Sequence, residues 1–512
     1  MLATPGTGNI EAPAEGGVQG GPIPLPPQRR FAALGDTYAP QVPATPLPEP
    51  QLLHLNRALA EQIGFDPAAV AGPEFTARLA GNQAWPGYPA VSSVYAGHQF
   101  GVLVPQLGDG RAHLIAELQG RDGRRWELQL KGSGQTPWSR FADGRAVLRS
   151  SIREYLASEA MHALGIPSTR ALSLVGSPQP VRRETLETAA VVCRAAPGFV
   201  RFGHFEFFYY QNQHQHLAPL ADHVIAEHFP QFAQREDRYH AWLTEVVERT
   251  ARLMAQWQAV GFCHGVMNTD NFSALGLTID YGPYGFIDGF DAHYICNHSD
   301  EAGRYAYDQQ PMIGHWNCSK LLQATLPLLS DEPEKAVEIA TGILDLYPAV
   351  YSKAMLELWT AKLGLREARE GDAELVNRFL SILHRGRSDF TRSFRHLARL
   401  RTDTDEPAHS VRDEIADLAG FDAWVADYRG RLRGEQTDDA GRAARMNAVN
   451  PKYVLRNHLA QAAIERAQNG DYGEIDRLFR LLQKPFDEQP EMEAYAAEPP
   501  PDAQRIEVSC SS

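Results

Sequence analysis

The chain has 512 residues, of which 43% are hydrophobic and 22% charged, as in an ordinary globular protein. Its net charge of −14 argues against a broad nucleic-acid-binding face, and no stretch approaches the roughly 20 apolar residues of a membrane span. Five cysteines without a C-x-x-C pair indicate neither a zinc ribbon nor a disulfide framework. Because no secretory signal is visible, we expect a cytoplasmic setting.

The length favours two lobes and an appended region over one compact domain. A flexible segment rich in Gly, Pro and Ala is predicted over residues 1–48. We expect an N-terminal lobe over 49–205 and a C-terminal lobe over 206–345. A helical region over 346–490 and a flexible tail over 491–512 complete the predicted organisation.

The first predicted elements precede a glycine-rich turn. Leucines near helical spacing predict a short helix from Pro50 to Ile63. The run Leu107-Gly108-Asp109-Gly110-Arg111 stands between two apolar stretches, which is a strong β-hairpin signal. Its backbone N–H groups could approach a phosphate. Most Asp-Gly turns only reverse the chain, so the motif alone leaves its function open.

A lysine and two glutamates follow in a kinase-like order. The alternating strand Trp126–Gly132 contains Lys131, and a helix is predicted from about Ala146 to Leu164. In kinases a strand lysine that contacts phosphates pairs with a glutamate on the next helix. Both Glu154 and Glu159 are candidates, because Glu159 lies nearer the apolar stripe and Glu154 on its flank. Spacing leaves both open, and a lysine near a strand end is otherwise a solvated charge.

Two arginines bracket a later loop. Arg194 and Arg201 lie on either side of Ala195-Ala-Pro-Gly198, after strands predicted at Arg170–Val175 and Ala189–Arg194. Arginine suits bidentate phosphate recognition. Two arginines near one loop are more often plain surface charge.

The densest set of polar residues follows a helix predicted from about Ala241 to Val260. It reads His264-Gly-Val266-Met-Asn-Thr-Asp270-Asn271, and a strand is predicted to carry Ile279-Asp280. Protein kinases use H-R-D-x-x-x-x-N and then D-F-G, in which the Asn and the second Asp bind metal. In that register Asn271 and Asp280 are the metal ligands, and Val266 occupies the position of the catalytic Asp.

Valine cannot accept a proton, so Asp270 is the nearest replacement for the missing base. The alternative is that Asn268 to Asn271 is only good turn chemistry. Beyond Asp291 the chain is predicted to be helical again, with several helices up to about Leu482.

Together these motifs resemble the selenoprotein O family of kinase-like protein nucleotidyltransferases. The resemblance runs from about Tyr95 to the C-terminus. Cys510 fits it too, because bacterial members carry Cys near the point where eukaryotic members carry selenocysteine. The motifs that carry the resemblance are Tyr95–Gly101, Gly108–Arg111, Leu128–Pro137, His264–Asn271, Ile279–Gly282 and Ser509–Ser512.

The resemblance implies an α+β fold of the two-lobed, protein-kinase-like (pseudokinase) type with an additional helical C-terminal region. It implies that ATP binds turned end to end relative to its orientation in kinases. AMP then passes to Ser, Thr or Tyr hydroxyls of proteins, including the chain itself. Mg²⁺ or Mn²⁺ is the implied metal, and UMP transfer from UTP with Mn²⁺ is a variant. Neither a nucleic acid nor a membrane is an expected partner.

The resemblance also assigns residues. Asp270 would be the proton acceptor, Asn271 and Asp280 would hold the metal, and Glu154 would pair with the strand lysine. The nucleotide contacts would be Gly108, Gly110, Arg111, Lys131, Asp143, Gly144, Arg194 and Arg201.

Three further possibilities accompany this interpretation. An ordinary kinase would move the γ-phosphate, and an inactive scaffold would bind ATP without turnover. A disulfide between Cys296 and Cys510 would make a redox switch, whereas an inert tail cysteine is the plainer alternative.

Overall fold

The computed structural model describes residues 28–404, 406, 409–435, 438–501, 503 and 506–508. Most of the strands come early in the chain, and helices dominate the remainder. Because the strands pair antiparallel and most of the helices follow them in the chain, the fold is of the α+β class, as predicted.

One six-stranded antiparallel sheet forms the first layer. Its order is β1-β7-β8-β5-β4, with β6 paired to β8, and two further two-stranded pairs join β2 to β3 and β9 to β10. The strands are β1 (Gln51–Leu55), β2 (Gly97–Gln99), β3 (Val102–Val104), β4 (Ala112–Gln119), β5 (Arg125–Lys131), β6 (Ala146–Val147), β7 (Arg170–Arg182), β8 (Leu186–Ala196), β9 (Phe262–Cys263) and β10 (Gly285–Phe286).

Eighteen α-helices are present in the described part of the chain, and none of those residues forms a helix long and apolar enough to cross a bilayer. The helices are α1 (Arg57–Ile63), α2 (Pro67–Val70), α3 (Pro73–Leu79), α4 (Leu148–Ala163), α5 (Phe202–Tyr210), α6 (Leu217–His228), α7 (Arg238–Ala259), α8 (Gln310–Ala324), α9 (Leu326–Leu329), α10 (Pro333–Leu344), α11 (Leu346–Lys362), α12 (Asp372–Gly386), α13 (Phe390–Leu397), α14 (His409–Arg412), α15 (Leu418–Arg433), α16 (Asp439–Val449), α17 (Asn457–Gln468) and α18 (Gly473–Leu482).

Two local predictions near the N-terminus are wrong. The helix expected from Pro50 starts only at Arg57, because residues 51–55 pair with β7 as an edge strand and Asn56 caps the helix by accepting from Leu59 N at 3.1 Å. The hairpin expected around Asp109-Gly110 does not form either. Strand β3 pairs with β2 and β4 pairs with β5, so the glycine-rich segment connects two different sheets.

The flexible segment expected up to residue 48 is wrong for residues 31–47. Phe31, Tyr38 and Leu47 are buried in the main core, and Phe31 N donates to Glu117 Oε1 at 2.6 Å. The segment is poor in large apolar residues, but these three side chains pack into the main apolar core. The part of this call that covers residues 1–27 lies outside the described residues.

Helix α4 lies between the sheet and the end of the chain. Ile152 and Leu156 are fully buried, and α4 packs against β7 and β8. Helices α17 and α18 also pack against α4, and the ring of Tyr155 stacks on Phe479 at 5.6 Å. The C-terminal helices therefore brace the helix that carries Glu154.

A second apolar core lies in the helices between Trp359 and Met446. Phe379 stacks on Trp424 at 4.4 Å between ring centroids, and both side chains are buried. One buried arginine connects the C-terminal helices to two earlier segments of the chain. Arg456 contacts Asp288 at 2.6 Å and Asp389 at 2.9 Å.

We predict that Arg456→Ala destabilises the protein by about 3–5 kcal/mol, because it leaves two carboxylates without their shared cation. The arginine side chain is only 2% exposed. The matched control is Arg480→Ala, which removes an exposed (i, i+4) pair with Asp476 and should change stability by less than about 1 kcal/mol. Urea unfolding of both variants measures the difference, and equal losses would contradict the prediction.

Candidate active site

A cleft of about 670 Å³ lies between the open side of the sheet and the segment that follows α7. Cationic side chains outnumber carboxylates along its walls, although the whole chain carries a net charge of −14. The cleft therefore concentrates positive potential where an anion could enter. The charged residues that line it are Arg111, Lys131, Arg140, Arg145, Arg182, Arg183, Arg194, Arg201, Asp109, Asp143, Asp270 and Asp280.

Lys131, at the end of β5, contacts the glutamate on α4 that spacing left undecided. Its Nζ lies 2.5 Å from Glu154 Oε2 and 4.0 Å from Asp280 Oδ1. Glu159 instead forms a bidentate pair with Arg170, with both contacts at 2.7 Å. Burial lowers the pKa of Lys131, and the neighbouring carboxylates oppose this effect. The lysine is thus held as an oriented cation facing the cleft.

Asp280 is the anion on which the cleft's cations converge. Arg194 donates to its Oδ1 and Arg201 to its Oδ2, and Arg194 also reaches Glu154 at 3.3 Å. Burial alone would raise the pKa of Asp280, but the charges of Arg201, Arg194 and Lys131 outweigh it and hold that pKa well below its ordinary value. Asp280 is therefore ionised, and its backbone has a φ of +57°, which is uncommon outside glycine.

Asp270 and Asn271 form one 3₁₀ turn, Thr269–Asn271, beside this network. Asp270 is buried. Its Oδ2 accepts from Gln99 Nε2 at 3.4 Å, and its Oδ1 has no hydrogen-bond partner among the described residues. Burial raises the pKa of Asp270 to about 7, although the charge of Arg201 partly opposes the shift. Asn271 donates Nδ2 to Val266 O at 3.0 Å, so its Oδ1 remains as an acceptor.

His264 positions these two acidic segments relative to each other. Its Nε2 lies 2.9 Å from Ile279 O, and its ring stacks on Trp257 at 5.2 Å. The strand predicted to carry Ile279-Asp280 is wrong, because the described residues show only a single bridge there, between Ser168 and Thr278. The histidine contact holds this segment in place of a strand partner.

Two glycines in the cleft wall cannot be replaced without moving it. Gly108 has a φ of +144°, and a Cβ there would lie 2.5 Å from Trp138 Cγ. Gly144 has a φ of +72°, and a Cβ there would lie 2.2 Å from Gly134 C. The lack of a side chain at these points lets Trp138 and the backbone at Gly134 pack directly against the two glycines, so both glycines shape the wall of the cleft.

The remaining expected contact residues also face the cleft. Gly110 and Arg111 line it, and Arg111 makes no ion pair with another described residue. Asp143 lines it as well but is held by Arg183 through contacts of 2.7 and 3.0 Å, which lower the pKa of this carboxyl. Every residue expected to contact nucleotide or metal thus lines one cleft, apart from Glu154, which lies behind Lys131.

Several residues of the site were not assigned a role from the sequence. The buried carboxylate of Asp109 accepts from Ser93 Oγ at 2.6 Å and from Gln129 at 3.3 Å. The ring of Tyr95 lies 5.0 Å from the Arg201 guanidinium. At Gly97 a Cβ would lie 2.2 Å from Asp270 Oδ1, so the β2–β3 hairpin abuts the 3₁₀ turn. The motif around Tyr95 was visible, but spacing could not reveal what it contacts.

One of the two cysteines in the hypothetical disulfide, Cys296, lies in the described part of the chain. Cys296 is buried, and burial together with Cys263 raises the pKa of its thiol well above its ordinary value. His298, two residues after Cys296, donates its backbone N–H to Val508 O at 2.9 Å. Val508 precedes Cys510 by two residues. Cys510 lies outside the described residues, and the disulfide stays a hypothesis.

The oxygen atoms of the site suit a hard divalent cation. Within the described part of the chain, no group of three His, Cys, Asp or Glu side chains could hold a metal. Mg²⁺, however, commonly takes only one or two protein carboxylates and completes its shell with water and substrate phosphates. The Asp280 carboxylate and Asn271 Oδ1 fit that requirement.

A basic cleft with an ion-paired lysine and adjacent carboxylates has the make-up of an enzyme that acts on phosphate esters. A family model described as "Protein adenylyltransferase SelO" matches residues 24–483. The chain therefore belongs to the protein adenylyltransferase SelO family, as its motifs predicted.

Curated relatives agree with this membership. A protein named protein nucleotidyltransferase YdiU from Methylococcus capsulatus is 63% identical over 491 residues, covering 96% of this chain and 97% of the relative. Proteins of the same name from Burkholderia vietnamiensis and Paraburkholderia xenovorans are each 54% identical, over 502 and 495 residues. These alignments cover 96% of both chains for the former and 95% of both for the latter.

We predict that Asp270→Asn stabilises the protein at about pH 8, by up to about 4 kcal/mol. The folded-state pKa of about 7 lies above the ordinary aspartate value of 3.8. The proton on Asp270 therefore stabilises the fold at low pH, and this contribution is lost as the pH rises through 7. An amide has no such proton to lose.

Urea unfolding of both proteins at several pH values tests this prediction. The gain should shrink toward zero as the pH falls to about 4, where both side chains are neutral. Asp280→Asn is the opposing control, since it leaves Arg194 and Arg201 without their anion and should destabilise the fold. A stabilisation by Asp270→Asn that does not depend on pH would refute the assignment.

Proposed function

We propose that this chain transfers AMP from ATP to Ser, Thr or Tyr hydroxyls of proteins, including its own, and releases pyrophosphate. The observation that carries the proposal is the pairing of two unlike carboxylates in one basic cleft. Asp270 is buried with a pKa of about 7, and Asp280 is held ionised by two arginines and a lysine. The names of the family and of the relatives support the same activity.

The fold that this function requires is proposed to be a two-lobed, protein-kinase-like one. An antiparallel sheet carries Lys131, the adjacent helix supplies Glu154, and the loop with Asp270 follows a long helix in the second part. These three features have the order found in kinases. On this basis we keep the lobes at 49–205 and 206–345.

The cleft binds the triphosphate through its cations and glycine turns. Lys131 is oriented by Glu154, and Arg111 forms no close ion pair with another described residue, so both can face phosphate oxygens. Gly108 and Gly144 line the same cleft. We place the nucleotide turned end to end relative to its orientation in kinases, and this orientation brings the α-phosphate to Asp270.

Asp270 then acts as the proton acceptor. A carboxylate with a pKa of about 7 is half ionised near neutral pH and has more proton affinity than an exposed aspartate. It takes the proton of the acceptor hydroxyl while a bond forms from that oxygen to the α-phosphorus. The bond from the α-phosphorus to the bridging oxygen of pyrophosphate breaks, and the arginines stabilise the leaving charge.

Asn271 and Asp280 would hold Mg²⁺ or Mn²⁺ beside the phosphates. A bound divalent cation supplies neutralisation of the charge on the phosphate oxygens. The chain's own contribution is to keep Asp280 ionised and to fix Asn271 through its bond to Val266 O. UTP with Mn²⁺ stays a variant of the same chemistry.

Two other functions are less well supported. An ordinary kinase needs a base at the position of Val266, whose side chain cannot accept a proton. An inactive scaffold has no need for a carboxylate with a pKa of about 7 next to a metal-competent one. Both alternatives are decided by the mass of the product.

We predict that incubation with ATP and Mg²⁺ adds the mass of AMP to the chain or to an added protein acceptor. The comparison is Asp280→Ala, which should show no product because the phosphate charge is no longer neutralised in the same way. Intact-protein mass spectrometry measures the adduct. An adduct with the mass of a phosphate would instead establish a kinase, and ATP binding without any adduct would establish a scaffold.

We also predict that the second-order rate constant for AMP transfer falls about tenfold for each pH unit below about 7, because only the ionised Asp270 accepts a proton. The rate should level off above that pH. Asp270→Asn should lose most of the activity and the pH dependence of what remains. A native rate that stays constant between about pH 5 and 7 would show that another group, or none, is the base.

A further inference from the structure

Four large apolar side chains lie exposed beside the reaction centre. Phe100 is 42% exposed, Val102 69%, Ile295 43% and Met312 58%. We call these four residues the apolar shelf. A soluble protein seldom groups such side chains on its surface without a binding partner.

Two side chains, Arg304 and Trp316, connect the hairpin edge of the apolar shelf to α8. A Cβ at Gly101 would lie 3.2 Å from Arg304 Cζ, and this guanidinium lies 4.8 Å from the ring of Trp316. Trp316 is one helical turn from Met312 on α8. The turn of the β2–β3 hairpin and the exposed face of α8 therefore meet around Arg304.

At the other edge of the apolar shelf, residues 303–305 contact both Phe100 and Ile295. The ring of Phe100 packs on Tyr305 with centroids 5.0 Å apart. A Cβ at Gly303 would lie 3.1 Å from Ile295 Cδ1. Residues 303–305 thus join the two aromatic rings to Ile295.

The shelf is hydrogen-bonded to the catalytic segment. Phe100 N donates to Tyr305 Oη at 2.8 Å, and this hydroxyl donates to Asn268 Oδ1 at 2.7 Å. The residue before Phe100 is Gln99, which contacts Asp270. A chain lying on the shelf would therefore pass next to the proposed proton acceptor.

The backbone at Phe100 is strained in a way that displays its ring. Phe100 has a φ of +50° and Gly101 a φ of +84°, as in a type I′ turn. Such turns favour Asn-Gly, and the left-handed region is unfavourable for a bulky side chain. Strain that is retained beside a reaction centre points to a use for the displayed side chain.

The charges at the shelf are positive. Arg304 and Lys320 both lie over the ring of Trp316, at 4.8 and 5.1 Å. Neither forms an ion pair with a carboxylate in the part of the chain that the structure describes. An acidic partner would supply the missing counter-charges.

We propose that the apolar shelf docks the protein acceptor, through an acceptor segment with apolar anchors flanked by acidic residues. This inference rests on the proposed function, since it supplies the surface that presents the hydroxyl to Asp270. Aromatic, Met and Arg side chains are those enriched at protein interfaces. The flexible thioether of Met312 would let the shelf accept anchors of different shape.

The test is direct binding of fluorescently labelled synthetic peptides, measured by anisotropy and so independent of AMP transfer. One peptide carries a Ser acceptor, Leu and Phe anchors and Glu flanks, a second has Lys flanks, and a third has Ser and Gly in place of the anchors. The first should bind at least about tenfold more tightly than either of the others.

Variants locate the binding. Val102→Asp and Met312→Asp should each weaken binding of the first peptide about tenfold or more, while Lys320→Glu should reduce the preference for Glu flanks. The matched control is Val337→Asp on α10, which is 51% exposed and is not part of the apolar shelf, and this variant should bind normally. Thermal unfolding checks that all four variants are folded.

The outcomes separate docking from chemistry. Equal binding of the three peptides, no binding of any, or an equal loss in Val337→Asp would overturn the docking proposal whatever the enzyme transfers. Shelf-dependent binding without any AMP adduct on peptide or protein would support docking and refute the proposed function. Transfer to the first peptide with an unchanged KM in Val102→Asp would retain the function and overturn the docking surface.

Discussion

The buried carboxylate of Asp280 is the charge on which the rest of the site depends. Arg194 from β8, Arg201 from the start of α5 and Lys131 from β5 all converge on it. Without an anion at this point, three cations from different elements would face one another in a region largely shielded from water. Their mutual repulsion would oppose the packing of the sheet against the second part of the chain. The same arrangement leaves the cleft with an excess of positive charge, which suits a polyphosphate.

Asp270 shows the opposite use of burial. It lies beside the same cleft, but the hairpin backbone at Gly97 covers it, and one of its oxygens has no hydrogen-bond partner among the described residues. Desolvation therefore outweighs the nearby arginine, and its pKa is raised to about 7 where that of Asp280 is lowered. Two aspartates ten residues apart thus acquire different chemistry from their surroundings, as a base and an anionic ligand require.

The helical C-terminal part has a structural connection to this chemistry. Helices α17 and α18 pack against α4, and α4 carries Glu154. Arg456, at the start of α17, also holds Asp288 and Asp389. The end of the chain therefore supports both the helix that orients Lys131 and the segment that follows Asp280. This gives a physical reason for a helical region beyond the two proposed lobes.

The sequence by itself determined the family, the α+β class and most of the long elements, because these depend on local periodicity and on motifs whose residues are close together. It placed the strand with Lys131 and the helix with Glu154, and it identified Asn271 and Asp280 as neighbours of Asp270. It failed where a segment's partner is distant. Residues 51–55 have leucines that suit a helix, yet they pair with β7.

Only the tertiary structure decided which charges meet. Spacing left Glu154 and Glu159 open, and the contact of 2.5 Å to Lys131 and the pairing of Glu159 with Arg170 separate them. The hairpin containing Gln99 and Phe100 was visible as a motif, but its position against Asp270 was not. These pairs are separated by 11 to 171 positions in the sequence, and each depends on how the sheet and helices pack, which no single stretch of the chain determines.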